Sequence, residues 1–450
     1  MLTISEQLKT IILTLLILLS FVFTFLLWYH VYFFEGTQKD YINFAQREKN
    51  LQTSKIICPA FIVLHKKQNT DKMFLHKSKE YTKVLDFIQT LKITSLPYNT
   101  DLNYWSYLHD NFLGIEFRYI YNMPFSIFLP LFKEQTINFS KIPKSFLINN
   151  FWLYFDNAKN EWILLLPSFK EKKIICLKLK SNNIQSIENL TQQNLIALDV
   201  KPIPLKEYLP WEKKNNNFYF NPYSYTFLKN PPFSTKRYFV KKLNIDNLKQ
   251  TLFQGSESKP ITLNKNETIF LGDNQIINYN KNQEFLTFSN TDIEDEKDLN
   301  NNEEENKDIE LEKITIFIQK HKGWTRDYIL EKYNKEEKIY TFRQINTLPI
   351  FWVKDSKIPV INLQIEKGEI IKYTRSLYYL GEELGKNNSS KLIPLETLIS
   401  KLKRGGNKSL ELKNAIPCFK AIEETKNNKK IATLVVSWLF VTNKKAFCLN

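Results

Sequence analysis

The amino-acid sequence predicts an α+β protein, with a single N-terminal transmembrane helix followed by two or three mixed α/β domains with mostly antiparallel sheets. An uninterrupted apolar run near the N-terminus predicts the membrane helix. Short apolar runs bounded by Pro, Asn and Asp predict strands, and isolated stretches with helical spacing of apolar residues predict helices. A chain of 450 residues is long enough to bury several hydrophobic cores without metals or disulfides.

The first element is the apolar segment at residues 10–29, which contains no charged side chain. A helix of about 20 residues rises about 30 Å, the thickness of the hydrocarbon core of a bilayer. The alternative is a cleaved signal peptide, which would have a shorter apolar region followed by small residues. Here the aromatic-rich residues 27–34 follow, as is typical of a membrane interface. We therefore expect an uncleaved transmembrane anchor over residues 1–35.

Four hydroxyl side chains share one face of this predicted helix. At about 100° per residue, they fall within an arc of about 120°. Small hydroxylated residues on one face allow two membrane helices to approach closely and to form hydrogen bonds. The candidate contact residues for a partner helix are Thr10, Thr14, Ser20 and Thr24, and the alternative is a chance grouping.

The next segment, residues 36–225, is expected to form a first α+β domain. Residues 56–64 have the pattern of a strand, and residues 79–92 form an amphipathic helix that Pro97 ends. Further strands are predicted at residues 112–121, 151–155, 162–166 and 174–179. The proline-rich and aromatic-rich residues 202–232 predict extended connecting structure at a domain boundary.

Two more α+β units follow, at residues 226–291 and 313–450. Each begins with a predicted helix, at residues 245–253 and 309–321, and continues with antiparallel strands. This shared order hints at a duplicated architecture. The last unit also contains a predicted helix at residues 395–404 and strands at residues 340–344, 360–365, 370–375, 418–422 and 431–440.

An acidic segment separates these two units. Residues 292–312 contain eleven acidic residues against two lysines, a local charge of −9, and no large apolar cluster. Such a segment buries too little apolar surface to offset the entropy lost on ordering, so we expect a flexible linker. The glycine turn and the ligand spacing of a calcium-binding loop are missing.

Charge and motifs exclude several classes of function. The net charge of +16 is spread along the chain without an arginine-rich arm, which argues against nucleic-acid binding. The five histidines and four cysteines form no metal-binding spacing, so no metal or cofactor is predicted. The cysteines are expected to be buried free thiols, with a disulfide as the alternative. Nucleophile elbows and phosphate-binding loops are absent, so we expect no enzyme activity.

Three sets of residues resemble the YycH family. The first is residues 8–28, which are similar to the family's anchor with its closing tryptophan. The second, a looser match, is residues 252–253, 272–273 and 285–288. The third and most specific set begins with H-K-G-W-T-R-D-Y at residues 321–328 and continues through residues 340–344, 348–351, 371–375 and 392–394.

The resemblance implies a regulator of a two-component sensor histidine kinase of the YycG/WalK type, acting together with a YycI-like protein. It implies a single-pass membrane protein with a cytoplasmic N-terminus and extracytoplasmic domains, and it implies no catalytic residues. The charges that flank the apolar segment slightly favour the opposite orientation, although long domains translocate largely regardless of such charges. The alternative function is an envelope-bound protein that binds cell-wall polyanions through its basic surface.

Overall fold

The computed structural model of the protein describes most of the chain as helices and strands. The chain divides into an N-terminal unit, Met1–Gln52, and a folded unit, Thr53–Asn450. The described residues are 13–25, 53–66, 70–100, 113–133, 142–143, 145–156, 159–180, 197–206, 213–214, 217–218, 221–229, 231, 233–255, 258–291, 307–321, 323–352, 360–404, 411–426 and 429–449.

In the N-terminal unit, residues 13–25 form an α-helix with exposed side chains. Across the residues that the structure describes, no helix has both the length and the apolar character needed to span a bilayer. The remaining residues of the predicted anchor lie outside the described residues.

The folded unit contains short helices between long strands. Helix α2 begins after Ser78, whose hydroxyl accepts a hydrogen bond from the Tyr81 amide, and α3 begins after Asn244, whose side chain caps two amides in the same way. The helices are α1 (Thr53–Ile56), α2 (Lys79–Ile88), the 3₁₀ helix η1 (Phe125–Leu131), α3 (Ile245–Leu252), α4 (Lys307–Lys320) and α5 (Leu395–Arg404).

The first sheet is antiparallel and is built mainly from the N-terminal half of the folded unit. Its strands are β1 (Phe61–His65), β2 (Asp71–Leu75), β3 (Lys92–Ile93), β4 (Tyr98–Thr100), β5 (Gly114–Pro124), β6 (Leu147–Asp156), β7 (Glu161–Ser168), β8 (Lys173–Lys180) and β9 (Leu198–Pro204). The short strands β10 (Lys213–Lys214) and β11 (Asn217–Phe218) pair with each other, and β12 (Tyr223–Phe227) returns to the edge of the first sheet beside β9.

The remaining strands form two further sheets. In chain order they are β13 (Phe233–Lys242), β14 (Lys259–Asn264), β15 (Glu267–Leu271), β16 (Gln275–Asn280), β17 (Phe285–Asn290), β18 (Tyr328–Asn334), β19 (Ile339–Gln344), β20 (Ile350–Trp352), β21 (Val360–Glu366), β22 (Glu369–Ser376), β23 (Tyr378–Ser390), β24 (Leu412–Lys426), β25 (Lys429–Thr442) and β26 (Ala446–Leu449). The second sheet has the order β20-β24-β25-β13-β23, with β26 beside β25, and the third has the order β14-β15-β16-β17-β22-β21-β19-β18. All these pairs are antiparallel except β20 with β24, which confirms the predicted α+β class with mostly antiparallel sheets.

The third sheet contains the repeat that the order of elements predicted. Helix α3 is followed by the meander β14–β17, and α4 is followed by β18, β19, β21 and β22. The last strands of the two meanders, β17 and β22, pair antiparallel at the centre of the sheet. On one face, Phe317 of α4 packs against Phe288 of β17 and Tyr373 of β22. The two repeats therefore share one sheet and one core.

Three sequence predictions need correction. The strand predicted at residues 56–64 begins only at Phe61, because α1 occupies Thr53–Ile56. The stretch predicted as connecting structure at residues 202–232 contains β12, which is buried along its whole length and hydrogen-bonded in the first sheet. The segment predicted as a flexible linker ends too late, because α4 begins at Lys307; residues 292–306 lie outside the described residues.

The cysteines are free thiols. The sulfur atoms of Cys418 and Cys448 are 3.6 Å apart, well beyond the bond length of about 2.05 Å of a disulfide. Burial raises the pKa of the Cys58 thiol to about 12, so this sulfur stays protonated and unreactive.

Candidate functional site: a buried joint between sheets

Two charged residues of β5 lie at the joint between the first and second sheets. Glu116 and Arg118 are two residues apart on one strand, so their side chains project from the same face. Charged residues at every second position of a strand normally indicate a face that is exposed to solvent. Here Glu116 is 0% exposed and Arg118 is 1% exposed.

The Glu116 carboxylate accepts hydrogen bonds on both oxygens. Its Oε1 accepts from the Tyr223 hydroxyl at 2.6 Å, from Asn150 Nδ2 at 2.8 Å and from Arg118 Nη1 at 3.2 Å. Its Oε2 accepts from the Tyr225 hydroxyl. Both tyrosines belong to β12, so this carboxylate fixes that strand in the first sheet.

Arg118 connects the same strands to the second sheet. Its Nη2 donates to the Tyr223 carbonyl oxygen at 2.7 Å and to Asn414 Oδ1 at 3.0 Å. Asn414, on β24, donates in turn to the carbonyl oxygens of Tyr119 and Ile120, each at 2.9 Å. One arginine and one asparagine thus join β5, β12 and β24 by direct hydrogen bonds.

His65, at the end of β1, completes the charge balance. Its Nδ1 lies 3.2 Å from Asp71 Oδ2, its Nε2 lies 3.3 Å from Glu116 Oε2, and its ring stacks on Trp152 with centroids 4.5 Å apart. Burial alone would lower the pKa of His65, but the charge and hydrogen bond of Asp71 outweigh it and raise that pKa to about 9. At neutral pH His65 is therefore an imidazolium that donates to both carboxylates.

The pKa of Glu116 moves in the opposite direction. Burial would raise it, but the charge of Arg118 and the hydrogen bonds from His65 and Tyr223 lower the pKa to about 2. We call Glu116, Arg118, His65, Asp71, Asn150, Tyr223, Tyr225 and Asn414 the joint cluster. It holds two cations against two anions, which is how buried charges are tolerated.

The joint cluster is built to hold sheets together rather than to react. A general acid or base must be within hydrogen-bond reach of a substrate proton, and here the acceptor sites of Glu116 are occupied by protein donors. Within the described part of the chain, no group of three or more His, Cys, Asp or Glu side chains is arranged to hold a metal ion.

These pKa values predict how stability depends on pH. Folding lowers the pKa of Glu116 from its ordinary value of 4.5 to about 2, so its contribution to stability is complete above pH 4.5 and is lost as the pH falls towards 2. Folding raises the pKa of His65 from its ordinary value of 6.5 to about 9, so its contribution to stability is complete below pH 6.5 and is lost as the pH rises through 9. We expect the free energy of unfolding, measured in urea, to be highest between pH 4.5 and pH 6.5, where both contributions are complete. In His65→Gln the loss of stability above pH 6.5 should be smaller than in the parent chain. An unchanged loss would contradict the assignment of His65 as a buried imidazolium.

A second set of contacts joins the first half to the third sheet. His76 Nδ1 lies 2.8 Å from the Asn346 carbonyl oxygen, and Lys77 Nζ lies 2.6 Å from Asp327 Oδ2. Within the third sheet itself, Glu331 of β18 and Arg343 of β19 form an ion pair at 2.7 Å, with Glu331 almost fully buried. The folded unit is thus cross-linked by polar contacts on two sides.

The most specific motif of the sequence forms a turn after α4. The Gly323 amide donates to the Ile318 carbonyl oxygen at 2.8 Å, and the Gly323 carbonyl oxygen accepts from Arg375 Nη1 at 3.2 Å. A Cβ atom at position 323 would lie only 2.4 Å from Ile318 Cγ2, so glycine is needed for the close approach. Trp324 packs on Phe342 of β19. The motif residues therefore connect α4 to β19 and β22.

The predicted partner-helix residues lie partly within the described helix. Thr10 lies outside the described residues. Thr14, Ser20 and Thr24 are on the helix of residues 13–25, and the Thr24 hydroxyl donates to the Ser20 carbonyl oxygen at 2.8 Å. Their role as a contact for a partner helix stays a prediction.

Sequence reasoning did not find the joint cluster. Its members are spread from His65 to Asn414, and no short motif connects them. The available signal was the pair Glu116 and Arg118 inside a predicted strand, which has the appearance of a solvated face.

The comparisons with known proteins agree with this architecture. The family model described as "YycH protein, N-terminal domain" matches residues 6–195. The family model described as "YycH protein, C-terminal domain" matches residues 224–448. The chain belongs to the YycH family. The C-terminal match includes most of β12, so a strand from one YycH domain completes the sheet of the other.

A solved YycH structure shares the fold. The crystal structure of YycH from Bacillus subtilis aligns with a TM-score of 0.56 and 13% sequence identity, and the alignment covers 88% of this chain and 97% of that chain. In a comparison with curated proteins, nothing matches this chain. Membership of the YycH family assigns the chain to the regulators of two-component signalling, a non-catalytic class.

Proposed function

We propose that this YycH protein is a membrane-anchored, extracytoplasmic regulator of a two-component sensor histidine kinase. The observation that carries the proposal is the match of both YycH domains, which together extend from residue 6 to residue 448. In this account the kinase is of the YycG/WalK type and a YycI-like protein acts with it. Contacts are made by the membrane helix and by the folded domains.

The geometry of the folded unit supports a role as a binding partner. The joint cluster and the His76 and Lys77 contacts hold the sheets in one arrangement, so the folded unit can present a fixed surface to a partner. The buried charges of the cluster are mutually paired, which suits a permanent structural connection.

The anchor is the second part of the proposal. Its support is the uncharged segment of residues 10–29, which has the length of a bilayer-spanning helix. The hydroxyl stripe on that segment is the proposed contact with a membrane helix of the kinase, because hydroxyl groups on one face allow close approach and hydrogen bonds between helices.

The test replaces the stripe by leucine and measures co-purification with the kinase from detergent-solubilised membranes. We expect clearly reduced co-purification, with unchanged expression and folding, in the quadruple variant of Thr10, Thr14, Ser20 and Thr24. Loss of close packing and of the hydroxyl hydrogen bonds is the physical reason.

The matched control changes the opposite face of the same segment. At about 100° per residue, the positions to be replaced by valine are Ile12, Leu15, Leu19 and Leu26. We expect this control to retain the kinase. If both variants retain the kinase equally, the hydroxyl stripe is not the contact surface.

A further inference from the structure

Two cysteine side chains meet on one face of the second sheet. Cys418 of β24 lies opposite Ser437 of β25. Cys448 of β26 lies opposite Leu439 of the same strand β25. Positions 437 and 439 are two residues apart, so both cysteines project from the same face. They flank β25 on its two sides, and their Sγ atoms are 3.6 Å apart. We call Cys418 and Cys448 the dithiol pair.

The two thiols of the dithiol pair differ in exposure and in acidity. Cys418 is 0% exposed, whereas Cys448 is half-buried. Burial raises the pKa of Cys418 well above its ordinary value, so this thiol keeps its proton and donates it to the Cys448 sulfur. That hydrogen bond, with the positive charges of Arg343 and Lys420, lowers the pKa of Cys448. Cys448 is therefore the thiol that reacts first with a molecule from solution, and Cys418 is placed to react second.

The surroundings favour thiol chemistry over metal binding. In the part of the chain that the structure describes, no third histidine, cysteine or carboxylate joins the pair as a metal ligand. The positive charges of Arg343 and Lys420, which act on the pair, would also repel a cation. The other two cysteines, Cys58 and Cys176, are buried, and the raised pKa of Cys58 keeps its sulfur protonated.

A bond between the two sulfurs requires β26 to move towards β24, because the Sγ atoms of a disulfide are about 2.05 Å apart. Among the described residues β26 pairs with β25 alone, and all four of its residues are only half-buried. By contrast, β24 is held on both sides, by β20 and by β25. The movement therefore falls on β26. A disulfide that requires such a shift is more easily reduced than an unstrained one, so the modification is expected to be reversible.

We propose that the dithiol pair is a redox site that forms the Cys418–Cys448 disulfide by exchange with a small disulfide. Cys448 loses its proton to water, and its thiolate attacks one sulfur of the small disulfide, which forms a mixed disulfide and releases one small thiolate. Cys418 gives its proton to that thiolate and attacks Cys448 Sγ, so that the second small thiolate leaves and takes up a proton from water. The protein loses two electrons and two protons, and the small disulfide is reduced to two thiols.

The disulfide would tie β26 to β24, the strand that also carries Asn414 of the joint cluster. It would close a loop between residues 30 apart in the chain. The inference does not depend on the proposed regulation of a kinase, because the chemistry belongs to the folded unit itself.

The experiment uses the full chain purified in detergent, first reduced and then exposed to oxidised glutathione. Remaining thiols are blocked with N-ethylmaleimide in denaturant, and the chain is digested with trypsin and analysed by mass spectrometry. Trypsin cuts after lysine, so the two sulfurs fall in the peptides of residues 414–420 and 446–450. We expect these two peptides to be linked in most of the oxidised chain and to separate after dithiothreitol, while Cys58 and Cys176 are recovered as maleimide adducts. Non-reducing electrophoresis shows whether the link lies within one chain.

Two variants separate the roles of the two thiols. In Cys418→Ala, Cys448 should accumulate as a glutathione adduct, because the second thiol is gone. In Cys448→Ser, Cys418 should stay reduced, with at least about ten-fold less adduct, because it is buried and protonated. Circular dichroism checks that each variant is folded, and the result on the parent chain needs neither of them.

Four outcomes in the parent chain would overturn the proposal. They are a glutathione adduct on Cys448 without the link to Cys418, a link between two chains, a link that involves Cys58 or Cys176, and recovery of all the cysteines as maleimide adducts.

Discussion

Replacing Arg118 by methionine is expected to lower the free energy of unfolding by about 3–5 kcal/mol, the usual loss when one partner of a buried ion pair is removed. The change leaves the Glu116 carboxylate 0% exposed with one cation fewer, and it removes the donor to Asn414 Oδ1. Urea denaturation followed by circular dichroism measures the loss. We also expect a protease to cleave the chain segments that connect the first and second sheets faster in this variant than in the parent chain.

The control is Lys178→Met, which breaks an ion pair on the surface of the same sheet. Lys178 Nζ lies 2.9 Å from Glu161 Oε2, but both side chains are more than a third exposed. Pairs of this kind contribute about 0–1 kcal/mol. If Arg118→Met and Lys178→Met cost the same, the joint cluster does not hold the sheets together as described.

Replacing Gly323 by alanine is expected to cost about 1–3 kcal/mol, because a methyl group must be forced into a filled space. The new Cβ would lie 2.4 Å from Ile318 Cγ2 and 2.9 Å from the Ile318 carbonyl oxygen, and the latter belongs to the backbone and cannot move aside easily. The hydrogen bond from Arg375 to the Gly323 carbonyl oxygen should weaken as well. Thermal and urea unfolding measure the change.

Gly381→Ala is the matched control. Its Cβ would meet carbon atoms of the Lys241 side chain at 2.8 Å, but that side chain is flexible and solvent-exposed at its end, so it can move away. We expect a clearly smaller effect than at position 323. A larger effect at 381 would show that the turn after α4 is less tightly packed than the distances indicate.

The local elements could be predicted because their signals are local. Residues 395–404 were predicted as a helix and form α5 (Leu395–Arg404), since apolar spacing, basic residues in the last turn and a following glycine all agree. Strands β19, β21 and β22 of the third sheet were predicted at residues 340–344, 360–365 and 370–375, whereas β18 (Tyr328–Asn334) was not predicted. The motif of residues 321–328 carries the family resemblance, and it includes Gly323, where an added Cβ atom would clash with Ile318.

The joint could not be predicted because it depends on long-range pairing. Tyr223 and Tyr225 are about a hundred residues from Glu116, and the many prolines around β12 predict connecting structure rather than a strand. Likewise, the pairing of β17 with β22 makes one sheet from strands that flank the acidic segment. The division into a middle domain, 226–291, and a C-terminal domain, 313–450, stays a prediction, as does the anchor at residues 1–35.

The most direct test of the central claim, an extracytoplasmic regulator on a membrane anchor, is labelling in intact cells. Thr425 is exposed near the end of β24, so Thr425→Cys should react with a membrane-impermeant maleimide. Cys58, Cys176 and Cys418 are buried, and the half-buried Cys448 is replaced by serine in both the variant and the parent chain. We predict strong labelling of Thr425→Cys in intact cells, no increase after permeabilisation, and only weak labelling of the parent chain. Labelling that appears only after permeabilisation would mean that the folded unit is inside the cell, and the proposed function would then be wrong.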